Sequence, residues 1–147
     1  MSSRVSAPLP RALRWAGFVL WTGVIIYSMD IMKPTESTCI VGIKTWAATH
    51  GIEESLPSDL YHICSFLVWG ILLTSVAAHG ELANLSRRRI VLCAVITLAF
   101  AAVAELLQAL NPGRTPCCLH GALNAVGGLL GLFCTAAPRA VRLVLRR

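Results

Sequence analysis

Four apolar segments of nearly membrane-spanning length are the feature that most constrains this 147-residue chain. About 20 mostly apolar residues are needed to cross the hydrocarbon core of a bilayer. Hydrophobic residues make up 56% of the chain and charged residues only 14%, whereas a soluble domain carries about 25% charged residues. The sequence therefore predicts a single all-α domain over residues 1–147, an integral membrane bundle of four transmembrane helices at 12–29, 60–78, 90–107 and 119–137.

Basic residues are distributed unevenly among the connections between these segments. Arginines cluster before the first segment, between the second and third, and after the fourth. Membrane proteins keep their excess of Lys and Arg on the cytoplasmic side, so we expect a multi-pass protein of the cytoplasmic (inner) membrane with both termini cytoplasmic. This orientation accounts for the formal net charge of +6, and no nucleic-acid partner is expected.

The connection at residues 30–58 is long and lies on the predicted external side. Its apolar residues recur at roughly helical spacing around Lys44, which indicates an external interfacial helix lying on the membrane surface. A flexible loop is the alternative. These apolar residues are Ile40, Val41, Ile43, Trp46 and Ala47.

The six cysteines have no spacing typical of a metal knuckle or a disulfide framework. Cys39, Cys117 and Cys118 fall on the predicted external side, and a bond from Cys39 to either of the other two is left open. No metal site and no cofactor are predicted, since the histidines and carboxylates lack a ligand spacing such as HExxH.

Polar pairs mark one end of three predicted helices, and a further cation lies in the turn between the third and fourth. Side chains three or four residues apart share a helix face, so these residues are predicted to form one ligand-binding site near the external surface. Ionisable groups in membrane helices are costly and by default mark functional sites. The site residues are Asp59 and His62, Glu105 and Gln108, Arg114, and His120 and Asn124.

These residue types allow several roles. Arg114 suits the capture of a carboxylate or phosphate, whereas Glu105, His62 and His120 are the candidate catalytic acids or bases. Whether the chain is an enzyme stays open, because no nucleophile motif accompanies them. Structural roles also stay open: Asp59 as a helix N-cap, Arg114 as a snorkelling side chain, and the whole cluster as a network that fixes helix packing.

Two further patterns predict how the helices pack. Asn111-Pro112-Gly113 is a tight turn signal, so the third and fourth helices are expected to be antiparallel neighbours. Gly127 and Gly131 form a small-xxx-small step, which allows another helix to approach closely. The face that carries this step is therefore predicted to be packed and not exposed to lipid.

Taken together, the polar residues resemble the VanZ-like membrane family over roughly residues 57–135. The resemblance implies a small bacterial multi-helix membrane protein of the cell envelope, associated with resistance to glycopeptide antibiotics such as teicoplanin. The chain departs from the family at His120, where the pattern usually has an Asp that could pair with Arg114. The matching pieces are Asp59-Leu60-Tyr61-His62 with Phe66, Glu105-Leu106-Leu107-Gln108, Pro112-Gly113-Arg114, and Asn124 with Gly127.

From the residues and the resemblance we expect a protein that binds or modulates an anionic lipid or cell-wall precursor at the outer face of the membrane. Its expected partners are membrane lipid and a lipid-linked precursor or glycopeptide. Two alternatives are an intramembrane enzyme acting on a lipid-linked substrate and an accessory subunit whose polar cluster is purely structural. No oligomeric state is predicted.

Overall fold

A computed structural model of the chain describes residues 10–28, 45–46, 48–51, 56–79, 85–110 and 117–145. Within these ranges the long elements are four helices and there is no β-strand, which confirms the all-α prediction. In chain order they are α1 (Arg11–Ile26), α2 (Leu56–Ala77), α3 (Arg87–Ala109) and α4 (Cys118–Leu145).

Three of these helices are long and apolar enough to cross a membrane, at Ser58–Ala77, Arg87–Gln108 and Cys118–Ala137. The chain is accordingly a membrane protein. The first predicted span, residues 12–29, corresponds to α1, which has only 16 residues. At 1.5 Å per residue it extends about 24 Å, less than the roughly 30 Å of the hydrocarbon core.

The helix α4 extends further than the apolar pattern predicts, through Pro138 to Leu145. The predicted end at 137 followed the loss of hydrophobicity, which limits a membrane span but does not by itself end a helix. The structure therefore separates the apolar span from a continuous helical extension that carries Arg139 and Arg142.

The closest helix contact joins α2 and α4. A Cβ at Gly127 would overlap the carbonyl oxygen of Ile63, and one at Gly131 would overlap that of Leu67. Gly70 meets the backbone of α4 in the same way. The predicted small-residue step is thus confirmed as a backbone-to-backbone interface. Because Gly131, later in α4, meets Leu67, later in α2, the two helices run parallel.

Indole hydrogen bonds fix α1 against α2. Trp21 donates from Nε1 to the backbone oxygen of Ser65 at 2.9 Å, and Trp69 donates from Nε1 to Thr22 Oγ1 at 3.0 Å. In lipid there is no water to satisfy a buried indole N–H, so each donor needs a protein acceptor. The two bonds therefore set the rotation and depth of α1 on the bundle.

Two arginines hold one end of the bundle together. Arg14 Nη2 donates to the backbone oxygen of His79 at 2.9 Å, and Arg89 Nη1 donates to that of Ala77 at 3.4 Å. The start of α1, the end of α2 and the start of α3 therefore lie at one end. The starts of α2 and α4 and the end of α3 lie at the opposite end, where the polar pairs of the sequence occur.

Part of the predicted interfacial helix is described. Residues 45–46 and 48–49 are helical, and the turn ends at Gly51 with a φ of 69°. The ring of Trp46 is exposed and stacks on that of His50 at a centroid distance of 4.5 Å. The remaining residues of the predicted helix, 40–44 and 47, lie outside the described ranges.

Candidate functional site

The structure describes six of the seven predicted site residues and brings them to the same end of the bundle. They come together because α2 and α4 run parallel and α3 runs against them, so that two helix starts meet one helix end. Each helix contributes two of them: Asp59 and His62 from α2, Glu105 and Gln108 from α3, and His120 and Asn124 from α4. The seventh, Arg114, lies outside the described residues, in the connection between α3 and α4.

Asn124 is the centre of a hydrogen-bonded network that spans three helices. Its side chain is fully buried, and its Oδ1 lies 2.9 Å from His62 Nδ1. Because an amide oxygen only accepts, the Nδ1 of His62 carries the proton in this contact. The Nδ2 of Asn124 donates to Glu105 Oε1 at 3.5 Å. One residue of α4 thus links a histidine of α2 to a carboxylate of α3.

Glu105 ties the start of α4 to the end of α3. Its second oxygen, Oε2, accepts the backbone N–H of Cys117 at 3.1 Å. Cys117 directly precedes α4, and backbone N–H groups at a helix start lack partners within the helix. The buried carboxylate therefore has an N–H donor at each oxygen, and it fixes where the chain re-enters the bundle.

His120 and Asp59 form the partly exposed part of the cluster. His120 Nε2 lies 3.5 Å from Asp59 Oδ1, and the two side chains are 29% and 23% exposed. The imidazole of His120 stacks on that of His62, with ring centroids 4.4 Å apart and planes 4° from parallel. The stack connects the buried network to the surface of the protein.

The pairing of His120 with Asp59 was not anticipated from the sequence. The VanZ-like pattern favours an acid at position 120 that could pair with Arg114, whereas His120 instead reaches a carboxylate on α2. The proposed N-cap role of Asp59 is wrong, because α2 begins at Leu56 and places Asp59 in the first turn. The parallel arrangement of α2 and α4 brings the two residues together, and helical spacing alone does not reveal it.

Gln108 differs from the other members of the cluster. It is only 4% exposed, and its Nε2 has no hydrogen-bond acceptor among the residues that the structure describes. It lies one turn beyond Glu105 on the same face of α3. A buried amide donor without an acceptor is costly, so this position calls for an acceptor that the described residues do not supply.

Metal and disulfide chemistry can be assessed for the described part of the chain. Within it, no group of three or more His, Cys, Asp or Glu side chains could hold a metal ion. Neither Cys117 nor Cys118 is bonded to another described cysteine, and Cys39 lies outside the described ranges. The possibility of a bond from Cys39 to either cysteine stays untested.

Replacing His120 by Asp, the residue usual in the VanZ-like pattern, is expected to destabilise the protein. It would set a second carboxylate beside Asp59 and remove the ring stack with His62. We expect the free energy of unfolding to fall by about 1–2 kcal/mol near neutral pH. Thermal unfolding in detergent at neutral pH measures this.

His79→Asp is the matched control for this substitution, because His79 is exposed at the opposite end of the bundle. An equal loss of stability in both variants would contradict the Asp59–His120 contact.

Comparison of the chain with protein families, with curated proteins and with solved structures found no match in any of the three. The VanZ-like resemblance thus stays a prediction based on the residues that carry it.

Proposed function

We propose that the chain is a bacterial VanZ-like protein of the cytoplasmic membrane that binds the headgroup of an anionic lipid or lipid-linked cell-wall precursor. Binding at the outer face would underlie an association with tolerance of glycopeptides such as teicoplanin. The observation that carries the proposal is the polar cluster in which three helices join at one end of the bundle. Intramembrane ionisable groups of this kind typically line a ligand or ion site.

The exposure of the cluster favours binding over a purely structural role. A network that served only helix packing would be complete once its members were paired inside the bundle. Here the buried part, His62, Asn124 and Glu105, continues into the partly exposed Asp59 and His120. The inner residues hold the geometry, and the outer two remain accessible to a headgroup.

The distribution of arginine supports an outward-facing site. Arg14 and Arg89 bind backbone oxygens at the end of the bundle opposite the cluster, and Arg87 and Arg88 lie beside them. Basic residues concentrate on the cytoplasmic side of membrane proteins. The proposal therefore puts both termini in the cytoplasm and the polar cluster at the outer surface.

Arg114 is the proposed contact for the anionic part of the headgroup. It lies three residues before Cys117, the residue whose N–H binds Glu105, so the connection that carries it re-enters the bundle at the site. A guanidinium forms two parallel hydrogen bonds with phosphate, which suits this role better than an ammonium.

Replacing Arg114 by Ala tests the proposal. We expect binding of an anionic phospholipid to the purified protein, measured by native mass spectrometry, to weaken by about tenfold or more, since each charge-assisted hydrogen bond that is lost accounts for about tenfold. Cells that express the variant at the wild-type level should become more sensitive to teicoplanin. Arg88→Ala, which removes an exposed arginine at the opposite end, is the control.

Unchanged lipid binding and unchanged teicoplanin sensitivity in the Arg114→Ala variant would contradict the proposal. Turnover of a lipid or lipid-linked precursor by the wild-type protein would instead identify the chain as an intramembrane enzyme. If the Arg114→Ala substitution lowers only the abundance of the protein, the result would favour the accessory, structural role.

A further inference from the structure

Gln108 carries a buried hydrogen-bond donor that lacks an acceptor. Its side chain is only 4% exposed, and its Nε2 has no acceptor among the residues that the structure describes. This nitrogen bears two N–H groups, and a buried donor without a partner costs free energy. The surroundings of Gln108 therefore suit a ligand atom that accepts a hydrogen bond.

Glu105 has the complementary need at one of its two carboxylate oxygens. Its Oε2 accepts the backbone N–H of Cys117 at 3.1 Å, whereas the Nδ2 of Asn124 lies 3.5 Å from Oε1. Hydrogen bonds of this type usually measure about 2.7–3.2 Å, so the contact at Oε1 is a weak one. A carboxylate has roughly four lone-pair sites, and Oε1 therefore suits a ligand atom that donates a hydrogen bond.

These two groups are neighbours on one face of α3. Side chains three residues apart on a helix have Cβ atoms about 5–6 Å from each other. Both side chains are buried, and helical side chains lean towards the start of their helix, so Gln108 leans towards Glu105. A single oxygen atom spans a separation of this kind, because two hydrogen bonds of about 2.9 Å meet at it.

The Gln108–Glu105 pair lies at the depth of lipid headgroups. Gln108 is the last residue of the apolar span Arg87–Gln108, and α3 ends one residue later, at Ala109. The end of an apolar span marks the boundary between the hydrocarbon core and the headgroup region. A headgroup bound at this end of the bundle therefore lies level with the pair.

A hydroxyl is the ligand group that satisfies both members of the pair. Its oxygen accepts an N–H from Gln108, and its own O–H is donated to Glu105. An ammonium donates to Glu105 but cannot accept from Gln108. A phosphate oxygen accepts from Gln108, brings no proton for Glu105, and is repelled by a carboxylate at this distance.

We infer that the bound anionic headgroup carries a hydroxyl group, which Gln108 and Glu105 hold between them. The inference rests on the proposed function, since it assumes that an anionic headgroup binds at this end of the bundle. It adds that recognition includes a neutral alcohol beside the phosphate. The glycerol of phosphatidylglycerol has this chemistry, and so does the sugar of a lipid-linked cell-wall precursor.

Native mass spectrometry of the purified full-length protein with two pairs of anionic lipids tests this. Phosphatidylglycerol and phosphatidylpropanol have the same phosphodiester charge and headgroups of similar size, but only phosphatidylglycerol has hydroxyls. The second pair is a polyprenyl diphosphate with and without its sugar. We expect the hydroxyl-bearing member of a pair to bind about tenfold more tightly, because it makes a hydrogen bond with a buried carboxylate.

The two pairs also distinguish the sources of the hydroxyl. A preference within the phospholipid pair alone supports the inference and identifies bulk lipid as the source. A preference within the polyprenyl pair alone supports it and identifies the lipid-linked precursor.

Gln108→Leu should abolish the preference, since leucine has a similar size and no N–H donor. The hydroxyl-bearing lipid should then bind only as tightly as its partner without hydroxyls. The matched control is Thr135→Val, which removes a hydroxyl bonded only within α4 and should keep the preference. The comparison between lipids uses the wild-type protein and stays decisive even if a variant folds poorly.

Equal binding within both pairs, with binding still dependent on Arg114, would overturn this inference and leave the proposed function standing. A preference that survives the Gln108→Leu substitution would overturn it in the same way. The absence of any Arg114-dependent binding among the four lipids would overturn both. The two failures are therefore distinguishable in one experiment.

Discussion

The double variant Gly127→Ala and Gly131→Ala is expected to lose about 2–6 kcal/mol of unfolding free energy, since each overpacked contact typically costs about 1–3 kcal/mol. A Cβ at either position would overlap a backbone oxygen of α2, that of Ile63 or that of Leu67. Backbone atoms cannot move aside as the tip of a side chain can. The two helices would have to separate, and the polar cluster at their starts would come apart with them.

Thermal or denaturant unfolding in detergent measures this loss, and Gly23→Ala is the matched control. A Cβ at Gly23 in α1 would meet no atom within 4 Å, and alanine favours the helix over glycine by about 1 kcal/mol. The control should therefore be as stable as the wild type or more so. Wild-type stability in the double variant would contradict the close α2–α4 packing.

Replacing Asn124 by Leu is expected to lower the free energy of unfolding by about 3 kcal/mol, because it leaves two buried polar groups without their partner. Glu105 would lose one N–H donor and His62 its acceptor. Headgroup binding should fall with it, since the ring of His62 supports that of His120. The measurement is unfolding in detergent together with lipid binding by the folded fraction.

Two further variants serve as comparisons for the Asn124→Leu result. Thr135→Val removes a hydroxyl of α4 that bonds only to its own helix, at Gly131 and Leu132, and should change stability by no more than about 0.5 kcal/mol. Adding Glu105→Leu to Asn124→Leu removes the carboxylate that has lost one of its two N–H donors, and it should recover part of the lost stability without restoring binding. A loss for Asn124→Leu no larger than that for Thr135→Val would contradict the network.

Much of the fold could be predicted because the thickness of the bilayer determines how long an apolar segment must be to cross it. The second helix was expected from residue 60 and begins at Leu56, since Pro57 and Ser58 lower the hydropathy yet suit a first helical turn. The close helix contact at Gly127 and Gly131 could also be predicted, because small residues at that spacing in a membrane helix typically allow another helix to approach closely.

The composition of the site could be predicted, but its pairings could not. Spacing places Glu105 and Gln108, or His120 and Asn124, on one helix face, and it says nothing about which residue lies opposite. The contact of Asn124 with both His62 and Glu105 depends on the depth and rotation of three helices. That depth is set by the glycine contacts of α4 with α2, which only the structure provides.

Nitrogen NMR of the four histidine side chains most directly tests the central claim that this cluster is a headgroup site. His62 and His120 belong to the cluster, whereas His50 and His79 lie elsewhere and serve as internal controls. On titration with phosphatidylglycerol, an anionic phospholipid, we predict shifts at His120 and His62 that saturate, with no change at the two controls. Equal shifts at all four histidines, or no shift at His62 and His120, would contradict the account.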